Sequence, residues 1–310
     1  MIIFLVTIFI VSLALLVKGA DWLLESSDKI GRAAGLSPFI VGVLLVGLGT
    51  SLPEFASSIA AVIADTPEIV TANAIGSNIA NIFLVIGLAA VIGRGLEVSK
   101  SLIDLDIPLL AIATAIFTGI VLDQTIVFGE ALILIALVVI YMTYVVKYTD
   151  GTEEKENVEK PKITRKDIIM FFVGIAALIG GAKYLIDSVI AISVELDIAV
   201  SVISLVGVAF GTSLPELMVS VKAALGGRAE VALGNIFGSN VFNLLLVVGI
   251  PGLFVTLPLD DITFTLALPV MAVATLLFLV SGISRRVHSY EGAMYLVFYL
   301  FFLGKLFEFI

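Results

Sequence analysis

Gly49-Thr50-Ser51-Leu52-Pro53-Glu54 is repeated as Gly211-Thr212-Ser213-Leu214-Pro215-Glu216, with a constant offset of 162 positions. Each copy sets a glycine, two hydroxyls, a proline and a carboxylate inside a long apolar segment. A charge at bilayer depth costs roughly 2.5 to 3.5 kcal/mol on insertion scales, so two matched carboxylates there point to a function.

The match extends outward from the hexapeptides. Leu16 to Gly87 aligns with Leu178 to Gly249 at the same offset without a gap. Gly19-Ala20 recurs as Gly181-Ala182, Asn73 as Asn235, Gly76-Ser77-Asn78 as Gly238-Ser239-Asn240, and Asn81 as Asn243. With 60% apolar residues over 310 positions and a mean hydropathy of +1.19, the chain is a polytopic membrane protein. Apolar runs fall at 2–24, 37–63, 69–92, 103–121, 126–146, 167–187, 198–224, 231–256, 262–282 and 291–309. In hydrocarbon such runs satisfy their backbone groups as helices, so the expected class is all-α with ten transmembrane helices. Five spans per half is an odd number. The second half must then enter the membrane from the opposite side, giving two inverted five-helix repeats, 1–147 and 166–310, joined by a polar linker at 148–165.

Charge orients the spans. Apart from Lys18, Lys183, Lys222 and Lys305, the basic residues all lie in alternate connections, including Arg94, Lys147, Arg228, Arg285 and Arg286. Basic loops remain cytoplasmic, which places the linker inside and both termini outside a cell membrane. The other connections carry Asp65, Glu68, Asp123, Glu195, Asp197, Asp260 and Asp261, an acidic set that would concentrate cations at the outer mouth. The chain has no cysteine, so it has neither disulfides nor thiolate metal sites. Its one histidine, His288, reads as a solvated loop residue.

Pro53 lacks the amide that would bond the Gly49 carbonyl, and its ring crowds that carbonyl. The helix should kink or break here and release carbonyls near Gly47 and Thr50, which a membrane tolerates only inside protein or around a cavity. Ser77 and Asn81 share one helical face, as do Ser239 and Asn243, so a two-fold arrangement gathers both sets around Glu54 and Glu216. Asn73 and Asn78 read as packing residues. The gathered set contains only oxygen ligands, which suits hard cations such as Ca²⁺ and offers nothing to metals that prefer imidazole or thiolate. Two glutamates balance one Ca²⁺ or two monovalent cations. Two facing carboxylates repel one another, so H⁺ is expected as a competitor.

The paired GTSLPE and GSN segments resemble the two α-repeats of the cation/Ca²⁺ exchanger superfamily, most closely a prokaryotic Na⁺/Ca²⁺ exchanger. The resemblance implies a ten-helix antiporter that transports Ca²⁺ and Na⁺ and needs no cofactor. By the family pattern, Glu54 and Glu216 would ligate Ca²⁺ with the carbonyls of Thr50 and Thr212. Na⁺ would share the glutamates with Ser51, Ser77, Thr212, Ser213, Ser239 and the carbonyls of Gly47 and Ala209, and Asn81 and Asn243 would line the middle. One position departs from the pattern. Many members carry Asp where this chain has Asn243, so the site here holds two carboxylates rather than three.

The expectation is therefore Na⁺/Ca²⁺ antiport by alternating access in a lipid bilayer, with H⁺- or K⁺-coupled Ca²⁺ exchange as its near variant. A cation channel with the glutamates as filter is a different class, and the internal two-fold repeat argues against it. An intramembrane hydrolase using two carboxylates has no second catalytic motif to support it. Nothing in the chain points to nucleic acid, to enzymatic activity or to an obligate protein partner.

Overall fold

A computed structural model of the chain describes residues 1–33, 49–98, 106–149 and 163–308. Most of the polar linker expected at 148–165, and the first part of the span expected at 37–63 including Gly47, lie outside the described residues.

The described residues are predominantly helical, as continuous apolar runs demand in lipid. Helix α1 (Ile2–Ala33) is followed by α2 (Leu52–Ile63), α3 (Glu68–Ile92), α4 (Asp106–Asp123) and α5 (Phe128–Thr149). The second half holds α6 (Arg165–Leu196), α7 (Val200–Thr212), α8 (Leu214–Leu225), α9 (Ala229–Gly252), α10 (Thr263–Ile283) and α11 (Ser289–Leu306). Among these, six are long and apolar enough to cross a membrane, and the bent pair α7 and α8 makes a seventh if counted as one span. That is fewer than the ten runs read from the sequence, for two reasons. Helix α2 is the end of a run whose first part lies outside the described residues, and the apolar part of α5 is described only over Phe128–Thr143. Helix α11 carries Glu291, Lys305 and the polar tips of Tyr290, Tyr295 and Tyr299, which lower its hydropathy.

Burial separates the helices into a centre and a surround. In α3 and α9, 78% and 83% of the most apolar window is buried inside the protein, against 17% in α1 and 28% in α6. The first pair is the core; the second presents its apolar surface outward. Helix α1 nevertheless packs along α6, and small residues set how closely. A Cβ added to Gly19 would lie 2.6 Å from the Leu178 amide nitrogen, and one on Gly181 would lie 2.7 Å from that of Leu16. Under the offset of 162 these contacts are mates, since Gly19 corresponds to Gly181 and Leu16 to Leu178. At the helix ends Lys29 pairs with Asp167 at 3.1 Å, and within α1 Lys18 pairs with Asp21 at 3.1 Å.

Two short antiparallel ribbons obey the same rule. Strand β1 (Leu96–Glu97) pairs with β4 (Arg286–Val287), and β2 (Thr125–Ile126) pairs with β3 (Leu257–Pro258). Leu96 opposes Val287, and adding or subtracting the offset turns this pair into Pro258 and Thr125, which also oppose each other. The repeat relation therefore reaches well beyond the segment in which the sequence shows it.

Candidate cation site

The second hexapeptide ends α7 and begins α8, and the first begins α2. Ser51 and Ser213 cap the following helices with nearly identical backbone angles, φ −85° and ψ 4° against φ −79° and ψ 5°. Pro53 and Pro215 fall in the first turn, where an amide hydrogen has no helical partner in any case. Between α7 and α8 the axis bends by 44°. The prolines thus start new helices rather than kinking continuous ones. Their consequence is that Glu54 and Glu216 both stand in the first turn of a helix, where the backbone dipole favours negative charge.

Both glutamates are 0% exposed. The carboxyl group of Glu54 lies beside Thr212, Ser213 and Ser77, and Ser213 Oγ donates to Glu54 Oε1 at 3.4 Å. That of Glu216 lies beside Thr50 and Ser239 and within electrostatic reach of Glu54. Each glutamate thus has beside it the threonine of the opposite hexapeptide and the serine of its own half. Thr50 Oγ1 also donates to Asn235 Oδ1 at 3.2 Å and stands 3.0 Å from Ser239 Oγ.

A second layer holds this arrangement. Asn73 Nδ2 donates to Ser57 Oγ at 3.3 Å, which in turn donates to the Glu54 carbonyl at 2.9 Å. In the other half Asn235 Nδ2 donates to the Glu216 carbonyl at 3.3 Å and to Ser220 Oγ at 3.1 Å. Beneath the serines the asparagines interlock. Asn81 Nδ2 donates to Asn240 Oδ1 at 3.0 Å, and Asn243 Nδ2 donates to Asn78 Oδ1 at 3.2 Å. Asn81 opens the π-helical segment Ala80–Ile86 after its first residue, and Asn243 begins the segment Asn243–Val247. Such wide turns collect at functional positions.

The predicted residues fall as follows. Thr50, Glu54, Ser77, Thr212, Ser213, Glu216 and Ser239 come together directly. Asn81 and Asn243 join across the α3–α9 crossing, one turn along from Ser77 and Ser239. Ser51 is buried in the break that positions Glu54. The Ala209 carbonyl accepts from Ser213 N at 3.1 Å and from Thr212 Oγ1 at 3.4 Å. Gly47 lies outside the described residues. The sequence reads Asn73 and Asn78 as packing residues; the signal for a larger part is the repetition itself, which extends to both.

Buried oxygens without a protein partner mark what this pocket can hold. They include Ser51 Oγ, Glu54 Oε2, Ser77 Oγ, Asn81 Oδ1, Asn243 Oδ1 and both carboxylate oxygens of Glu216. Leaving a buried acceptor unmatched costs about 1 to 3 kcal/mol, and more when it is charged. Among the described residues no three His, Cys, Asp or Glu side chains cluster, so the chemistry rests on two carboxylates supplemented by neutral oxygens. That donor set fits a hard cation.

Comparison with known proteins agrees with this chemistry. The family model described as sodium/calcium exchanger protein matches residues 4–147 and 166–307. The chain is similar to the sodium/calcium exchanger MaX1 of Methanosarcina acetivorans, with 31% identity and 97% of each chain covered. It is also similar to the uncharacterized membrane protein MJ0091 of Methanocaldococcus jannaschii, with 31% identity and 96% of each covered. A solved structure of the sodium-calcium exchanger NCX_Mj superposes with a TM-score of 0.70 at 32% identity, covering 98% of this chain and 99% of that one. A multi-pass membrane protein whose repeated hexapeptides bring two buried glutamates within electrostatic reach of each other, this chain belongs to the sodium/calcium exchanger protein family.

Proposed function

We propose that this chain moves Ca²⁺ against Na⁺ by alternating access, and that both ions use the same buried oxygens. The observation that carries the reading is the group of unpartnered acceptors around Glu54 and Glu216, shared between two repeated segments. One Ca²⁺, or two Na⁺, neutralises the two carboxylates. Without a cation, two charges remain in a dry interior at a cost of several kcal/mol each, which disfavours rearrangement of the ion-free carrier. Movement is therefore coupled to occupancy, the requirement for exchange rather than leak. H⁺ competes because it too can discharge the carboxylates.

On this reading Glu54 and Glu216 hold Ca²⁺ with the carbonyls of Thr50 and Thr212. Ser51, Ser77, Ser213, Ser239 and the Thr212 hydroxyl serve Na⁺, with the carbonyls of Gly47 and Ala209, and Asn81 and Asn243 line the centre. The halves 1–147 and 166–310 form two inverted five-helix repeats with both termini outside, joined by a cytoplasmic linker. The matched ribbons, helix crossing and hexapeptide breaks support a two-fold relation between the halves. Ca²⁺ uptake into vesicles carrying this protein should rise with an opposing Na⁺ gradient. Uptake indifferent to Na⁺ refutes the reading, and uptake that follows a K⁺ or pH gradient instead replaces it.

A further inference from the structure

The four asparagines at the α3–α9 crossing divide into two kinds by what their amide groups do. A primary amide has an oxygen at one end and an NH₂ at the other, so whichever end is engaged decides which is offered to the surroundings. The NH₂ of Asn81 is engaged by Asn240 Oδ1 at 3.0 Å, and that of Asn243 by Asn78 Oδ1 at 3.2 Å. In both cases the oxygen is left without a protein partner, and both residues are 0% exposed. Turning either amide over would set oxygen against oxygen at its present partner and offer an NH₂, which repels a cation. Asn78 is itself held in place, because its own NH₂ donates to the Asn240 carbonyl at 3.1 Å, whereas Asn240 is fixed by the bond it accepts from Asn81, its own NH₂ having no protein partner.

We propose that Asn78 and Asn240 are positioning residues for cation exchange: by accepting from the amides of Asn243 and Asn81, they keep both side-chain oxygens available as ligands. This rests on the reading of the pocket as the exchange site. The two hydrogen bonds are mates under the offset of 162, so each half orients the ligand of the other. The device suits a chain with only two carboxylates, in which neutral oxygens must supply more of the coordination.

The test uses the intact protein in Na⁺-loaded vesicles and compares the KM and maximal rate of Ca²⁺ uptake. Asn240→Leu keeps the branched shape and removes the acceptor; Asn240→Asp keeps the shape and, when ionised, can only accept, so it enforces the same orientation of Asn81. The Leu variant should raise the KM for Ca²⁺ roughly threefold to tenfold, the worth of one buried hydrogen bond, with little change in maximal rate. The Asp variant should not raise KM. In an Asn81→Ala background the effect of Asn240→Leu should vanish, as expected of a residue that acts through another. A KM unchanged by Asn240→Leu, or a rise that persists in the Asn81→Ala background, overturns the proposal. If Asn240→Leu does not fold, Asn240→Ala carries the same expectations. Should Asn81→Ala itself leave KM unchanged, Asn81 is no ligand and the positioning role fails with it; failure of the exchange-site reading is read separately, as uptake by the parent protein that is indifferent to Na⁺.

Discussion

Adjacent glycines on α6 offer a controlled perturbation. A Cβ added to Gly180 meets nothing within 4 Å, whereas one added to Gly181 lies 2.7 Å from Leu16 N and 2.8 Å from Leu16 Cα and Cβ. Both replacements by alanine gain the same helix propensity, roughly 0.5 to 1 kcal/mol in a helix interior. Propensity therefore cancels in the comparison, leaving the cost of pushing α1 away from α6. Its contact atoms are backbone on a long helix and cannot swing aside like a side-chain tip. Overpacking of this kind costs about 1 to 3 kcal/mol. At about 2 °C per kcal/mol for a chain of this size, Gly181→Ala should melt roughly 2 to 6 °C below Gly180→Ala in the same detergent. Transport should fall in step, because α1 also bears on the second hexapeptide: a Cβ at Gly211 would stand 2.6 Å from Leu13 Cδ2. Equal melting midpoints would refute the packing argument, and unequal midpoints with equal transport would uncouple the crossing from the site.

Further outcomes are expected at the site. Glu54→Gln removes one of two carboxylates and should abolish Na⁺-dependent Ca²⁺ uptake while the protein still folds; undiminished flux would remove Glu54 from the site. Ser213→Ala deletes the donor 3.4 Å from Glu54 Oε1, a bond worth about 0.5 to 1.5 kcal/mol, so the Ca²⁺ concentration for half-maximal uptake should rise roughly twofold to tenfold. Asn243→Asp adds a third carboxylate and sets an oxygen where Asn78 Oδ1 now accepts. Uptake measured across a pH series should then depend on pH more steeply than in the parent protein, and parallel profiles would refute this.

Much of the site was legible because two charges in hydrocarbon need a reason, and because the chain states the reason twice. Glu54, Ser77 and their mates could be named from the repeat and its spacing, whereas Thr50 and Thr212 were named as ligands from the family resemblance. Other features carried no local signal. The π-helical segments at Asn81 and Asn243 are read only from backbone geometry, since an apolar run such as Ile82 to Ile86 suits either kind of turn. The ribbons are two residues long, too short for alternation to show. Asn78 and Asn240 were readable as residues but not as partners, since that Asn81 faces Asn240 and Asn243 faces Asn78 is a fact of how α3 crosses α9. Helix number diverged where composition thinned, at the tyrosines and two charges of α11, and where a run begins outside the described residues, as before α2.

The exchange of ribbon partners has a bearing on ancestry. Where Leu96 meets Val287 and Thr125 meets Pro258, the contact between the halves is isologous, the self-complementary kind by which two copies of one subunit dimerise. Such an interface is what a duplicated and fused gene inherits from a homodimer. In the homodimer every substitution is suffered twice; after fusion it falls on one half alone. Lys18 opposite Gly180 and Asp21 opposite Lys183 in the alignment of halves show that the two copies differ outside the site, while the hexapeptides are identical.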